Sequence, residues 1–130
     1  YPRGLFALGY YPAIEAAHGR WGDRVALRRL TRENLLKAAG EAEFLFIGSH
    51  GMTEGILLQS GFVRPADVRA SGAHPQLRYV YLAGCDSGAL KQEWEEAFAP
   101  ARVVTQAGLT PLLQHVGWLW CEAPKTIRGM

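Results

Sequence analysis

An α/β fold built on a mainly parallel sheet follows from three features of the sequence. Short apolar runs alternate with segments of helical period along most of the chain. Two of those runs, Phe44-Leu45-Phe46-Ile47 and Tyr79-Val80-Tyr81-Leu82-Ala83, are uninterrupted, as strands buried on both faces of a parallel sheet require. Glycine or a polar cluster closes most runs and supplies the turns between elements.

In chain order, Leu5-Phe6-Ala7-Leu8 reads as a first strand, stopped by Gly9. Pro12 opens a helix through Ile14, Ala16 and Ala17 that Gly19 closes, because proline suits the first helical turn and glycine the exit. Val25-Ala26-Leu27 with Leu30 forms the next strand. Thr31 is placed to cap a helix carrying Leu35, Leu36 and Ala39, which ends at Gly40. The strand Phe44-Leu45-Phe46-Ile47 then runs into the glycine-flanked loop Gly48-Ser49-His50-Gly51.

Ile56-Leu57-Leu58 and Phe62-Val63 flank Gln59-Ser60-Gly61, the three-residue spacing of a small hairpin inserted beside the main sheet. Pro65-Ala66-Asp67-Val68 predicts a helical turn. Past the strand at Tyr79-Val80-Tyr81-Leu82-Ala83, the loop Gly84-Cys85-Asp86-Ser87-Gly88 precedes a helix whose Leu90, Trp94, Ala97 and Phe98 recur at i, i+4, i+7 and i+8. Arg102-Val103-Val104-Thr105 resumes strand character. The stretch from Pro111 to Cys121 is apolar without a period and fits either type of element.

The 130 residues suit a single domain spanning the whole chain, and 48% hydrophobic against 20% charged content argues against disorder. A net charge of +2, with Arg28-Arg29 the sole adjacent basic pair, is too little to track a phosphate backbone, so nucleic acid is not an expected partner. No apolar run approaches the roughly 18 residues that span a bilayer, and the first residues do not form an export signal, so no membrane partner is expected. Cys85 and Cys121 are too few for a disulfide framework and suit free thiols in a cytoplasmic protein. A start at Tyr1 without methionine suits a piece of a longer chain.

Ligands of open parallel sheets bind beyond the carboxyl ends of the strands, where the strand assignments put both His50 and Cys85. A thiol attacks as thiolate, and an imidazole within hydrogen-bond reach can take its proton and return it to a leaving amine. Cys85 as nucleophile and His50 as base suit those roles. Backbone N–H groups of Gly51 and Cys85 are the candidate oxyanion donors.

An apolar strand ending Ser49-His50-Gly51, followed by one ending Cys85-Asp86-Ser87-Gly88, resembles the caspase-like cysteine peptidases, and within them the CHAT domains. Three segments carry the likeness: Phe46 to Gly51, Ile56-Leu57-Leu58 through Gly61 to Val68, and Val80 to Gly88. It covers roughly residues 44 to 108. The resemblance implies a caspase-like three-layer sandwich with about six strands, hydrolysis of a peptide or protein substrate by a Cys-His dyad, and no cofactor or metal for the chemistry. It leaves room for flanking domains or an activating protein partner. Gly84 stands where the family usually has alanine, the Gln-Ala-Cys-x-Gly signature is absent, and His50 and Cys85 are 35 positions apart rather than the roughly 50 of caspases.

A non-catalytic, caspase-like protein-interaction module is the alternative from another class. A flavodoxin-like binding domain would need a phosphate-cradling loop after the first strand, which Gly9-Tyr10-Tyr11-Pro12 does not supply. Asp86 has two readings, recognition of a basic side chain or a helix N-cap, with Ser87 competing for the latter. Glu54 reads as solvated. His115 and Cys121 lack the close pairing of a zinc site. Trp94 with Phe98 reads as a buried helix face, and Trp118 with Trp120 as cover for the sheet's edge or contacts to a neighbour.

Overall fold

The computed structural model describes residues 5–9, 26–49, 54–58, 61–73, 75, 77–83, 86–106, 108, 114, 118 and 125. Seven strands fall within them: β1 (Leu5–Gly9), β2 (Ala26–Arg29), β3 (Phe44–Gly48), β4 (Ile56–Leu58), β5 (Gly61–Val63), β6 (Tyr79–Ala83) and β7 (Arg102–Val104). Three helices accompany them: α1 (Arg32–Ala39), α2 (Pro65–Ser71) and α3 (Lys91–Ala97), the last preceded by a 3-10 turn over Ser87–Leu90. The helix expected from Pro12 to Gly19 lies outside the described residues, as does most of the stretch from Pro111 to Cys121.

Five strands form one parallel sheet in the order β2-β1-β3-β6-β7, and β4 with β5 forms a separate antiparallel hairpin. The chain steps from β1 to β2 in one direction, then from β2 across β1 to β3 and on to β6 and β7 in the other. The reversal puts the topological switch point between β1 and β3, where open α/β sheets hold their ligands at the carboxyl ends.

Burial explains why the two apolar runs are continuous. Every residue of β3 and β6 is buried. On one face Leu45, Ile47, Val80 and Leu82 join Leu8 and Val103 in a single aliphatic core with Leu35 and Ala38 of α1, Val68 of α2 and Trp94 and Ala97 of α3. Helices on the three connections that run the same way across the sheet fall on one face when crossovers are right-handed, and this shared core shows it.

The other face is aromatic. The register opposes Phe44 to Tyr79 and Phe46 to Tyr81, and the rings stack at 5.1 and 5.5 Å. The Trp118 indole lies over all four, closest to Tyr81 at 3.8 Å. Trp118 therefore covers the middle of the sheet, where the sequence pointed to its edge or to a neighbour. The Tyr81 hydroxyl is pushed up to about 12 by burial, with a hydrogen bond from Gln106 acting the other way.

Local signals hold at the element ends. Thr31 Oγ1 accepts from the Asn34 amide at 3.1 Å and caps α1, which ends at Gly40. The turn expected at Pro65 extends to Ser71. Asp67 there accepts from the Arg64 amide at 2.9 Å and pairs with Arg32 at 3.2 Å. The Arg32 side-chain hydrogen bond, then the Arg64 amide, hold the Asp67 carboxyl below its ordinary value. Trp94 and Phe98 stack at 5.7 Å in the core, as the helical spacing predicts.

The hairpin differs from expectation at its turn. Leu58 pairs with Gly61, so the glycine is the first residue of β5 and the link is the two positions 59–60, outside the described residues. Ile56 and Val63 enter the aliphatic core, which docks the hairpin on the helical side. Gly55, at φ +148°, makes the approach: a side-chain carbon there would stand 2.6 Å from the Val63 carbonyl oxygen.

Candidate functional site

Of the residues singled out for chemistry, His50, Gly51 and Cys85 lie outside the described residues, as do His115, Trp120 and Cys121. What is described is the framework on either side of the two loops.

The loop containing His50 leaves β3 through Ser49, which is buried. The Ser49 amide donates to the Ala83 carbonyl at 3.0 Å, so the β3–β6 ladder runs without a break to the last residue before His50. The Ser49 hydroxyl donates to the Leu57 carbonyl at 3.0 Å and ties this exit to the hairpin. Each β3 residue is partnered by the β6 residue 35 positions later, Phe44 with Tyr79 through Gly48 with Ala83. Glu54, on the far side of the loop, is exposed, in keeping with a solvated carboxylate.

The loop containing Cys85 is anchored from its other side. Asp86 adopts a left-handed conformation at φ 58°, and its amide donates to the Gly108 carbonyl at 2.9 Å. Non-glycine residues rarely occupy this region, Asp among the least reluctant. Asp86 stands at the N-cap position of the 3-10 turn, but its carboxylate makes no capping bond. Ser87 is no cap either. Its hydroxyl is fully buried, accepts from the Gln106 amide at 2.6 Å and donates to the Leu82 carbonyl at 3.3 Å.

That bridge stands where a rung of the sheet would be. In a parallel ladder the bonds repeat at every second residue. Between β6 and β7 the Arg102 amide donates to the Arg78 carbonyl, 24 positions earlier. Continuing the same offset would aim the Gln106 amide at the Leu82 carbonyl. Those two groups are joined instead through the Ser87 hydroxyl, while the Gly88 amide donates to the Gln106 carbonyl at 2.8 Å. The turn after Cys85 is thus wedged between the diverging ends of β6 and β7. Gly88 allows the approach: a side-chain carbon there would lie 3.0 Å from the Gln106 carbonyl oxygen.

Gln106 was not singled out by sequence reasoning. Both its backbone groups bond the loop, and its side chain bonds Tyr81 and accepts from Gln114 Nε2 at 3.1 Å. A polar residue just past a valine-rich strand was the available signal. Ser49 and Ser87 were legible as parts of motifs, without their roles.

Among the described residues a groove of about 390 Å³ runs between α3 and β7, bordered by Lys91, Glu95, Arg102 and Thr105. Its charged border is unlike the apolar lining of small-molecule pockets. Also among the described residues, no helix is long and apolar enough to cross a membrane.

Comparison of the chain with family models, with characterised proteins and with solved structures finds no match.

Proposed function

We propose that this chain is a caspase-like cysteine peptidase domain, a three-layer sandwich in which Cys85 is the nucleophile and His50 the general base. The observation that carries the reading is the shared offset. His50 and Cys85 are separated by the same 35 positions as every pair of residues in register across β3 and β6. Each follows its strand by two residues, beyond the carboxyl edge where open sheets bind ligands.

In the proposed reaction His50 takes the Cys85 proton and the thiolate sulfur attacks the carbonyl carbon of a peptide bond. The Gly51 and Cys85 amides donate to the oxyanion. Collapse breaks the C–N bond, the imidazolium returns the proton to the departing amine, and water hydrolyses the thioester with His50 again as base. The substrate is a peptide or protein lying across the carboxyl edge, with flanking domains or a protein partner as candidate activators. Free thiols suit a reducing, cytoplasmic setting.

The test is the rate of iodoacetamide alkylation at Cys85 against pH in a Cys121→Ser background. An activated thiolate reacts well below the ordinary thiol pKa of about 8.5, and His50→Ala removes that low-pH limb. A Cys85 that reacts as an ordinary thiol with or without His50 contradicts the peptidase and leaves a protein-interaction module.

A further inference from the structure

We infer that Ser87 is a positioning residue for Cys85, acting as a wedge that holds the nucleophile loop between the carboxyl ends of β6 and β7; this rests on the peptidase reading above. The loop has two fixed flanks. On one side Ala83 is held in β6 by the Ser49 amide. On the other, Asp86, Ser87 and Gly88 are bound to Gly108, Leu82 and Gln106 by four hydrogen bonds. Only positions 84 and 85 lie between them.

Ser87 is the member whose chemistry is specific. Its hydroxyl must donate and accept at once, to the Leu82 carbonyl and from the Gln106 amide, inside a site closed to water. A hydroxyl there keeps the two strands apart by the width of one bridging atom. Without it the buried Gln106 amide has a ready acceptor in the Leu82 carbonyl, its partner by continuation of the ladder. The sheet then closes by one rung and expels the turn that follows Cys85. A displacement of about 1 Å at a reacting group costs on the order of 10²-fold in rate, so a change too small to unfold the domain suffices to disarm the thiol.

The experiment measures Cys85 alkylation against pH in a Cys121→Ser background for the parent, Ser87→Ala, Ser87→Thr and Gly88→Ala, with Gln106 amide exchange followed in each. Ser87→Thr keeps a hydroxyl that can bridge. Gly88→Ala pries at the same joint from the other side, where its added carbon meets the Gln106 carbonyl oxygen at 3.0 Å. The expected result is loss of the low-pH limb in Ser87→Ala, with alkylation at pH 6 slowed about tenfold or more, a partial loss in Gly88→Ala, and rescue in Ser87→Thr. A general loss of packing would not spare the threonine variant or move the pH profile alone.

A folded Ser87→Ala with the parent's pH profile overturns the inference while leaving the dyad intact. If Ser87→Ala does not fold, Gly88→Ala decides in the same way. A parent without any low-pH limb overturns the dyad, and with it the positioning role. Gln106 exchange that stays slow in Ser87→Ala, its amide taken up by the Leu82 carbonyl, then identifies the wedge as purely structural.

Discussion

The seams on the two sides of β6 use the same strand and the same parallel geometry, yet they finish differently. Toward β3 the ladder continues to the Ser49 amide, both faces are buried, and four stacked rings lie under Trp118. Toward β7 only three residue pairs form before a serine hydroxyl takes the place of the next rung. The first seam is a scaffold that keeps register; the second is opened deliberately enough to admit a turn. The segments that follow β3 and β6 can thus start from a common register on one side while the turn at Asp86 to Gly88 is held from the other.

Truncating one buried side chain at each seam should give the largest difference. Phe46→Ala removes a buried ring stacked on Tyr81 and Trp118, and is expected to lower stability by about 3–5 kcal/mol in urea denaturation. Val103→Ala, on the strand at the far seam, is expected to cost about 1–2 kcal/mol. Equal losses would mean that the seams are not energetically distinct.

The two serines should differ by less. Ser87→Ala removes both bonds of the bridge and is expected to cost about 1–2 kcal/mol, since the Gln106 amide can recover an acceptor only by moving. Ser49→Ala loses the bond to Leu57 but keeps its amide rung to Ala83, and should cost about 0.5–1 kcal/mol. Hydrogen exchange should then stay slow at Gln106 in the first variant, its amide taken up by the Leu82 carbonyl, and leave the β3–β6 amides protected in the second.

A smaller effect appears with pH. Burial raises the Tyr81 pKa in the folded state to about 12, while an exposed tyrosine titrates near 10. The folded state therefore holds this proton more tightly, so its contribution is intact below about pH 10 and is lost as pH rises toward 12. Tyr81→Phe should flatten stability over that window. A slope unchanged by the substitution would show the ring to be less sealed by Trp118 than its 3.8 Å stacking indicates.

Much of the framework was legible because burial on both faces leaves a distinctive imprint. Phe44 to Ile47 and Tyr79 to Ala83 could not be half-buried strands, and proline, threonine and glycine fixed where α1 and α2 begin or end. The hairpin turn was misplaced by one residue because Gly61 serves as a strand residue and not as turn closure. Ser87 competed for a capping role on local grounds, whereas its real partners are Leu82 and Gln106, the second 19 positions away. Gln106 offered locally no more than a polar residue just past a valine-rich strand, since its importance depends on β7 lying beside β6. Long-range register was the missing knowledge in both cases.

If the 35-position offset of β3 and β6 carries on to His50 and Cys85, a disulfide can trap the two positions together. Partners on adjacent parallel strands are about 4.8 Å apart, within the span a disulfide bridges. With His50→Cys in a Cys121→Ser background, mild oxidation should join the introduced thiol to Cys85, read as loss of both free thiols and a mass two hydrogens lower. If both thiols stay free and titratable under conditions that oxidise a dithiol of that spacing, the two positions do not meet and the dyad is contradicted.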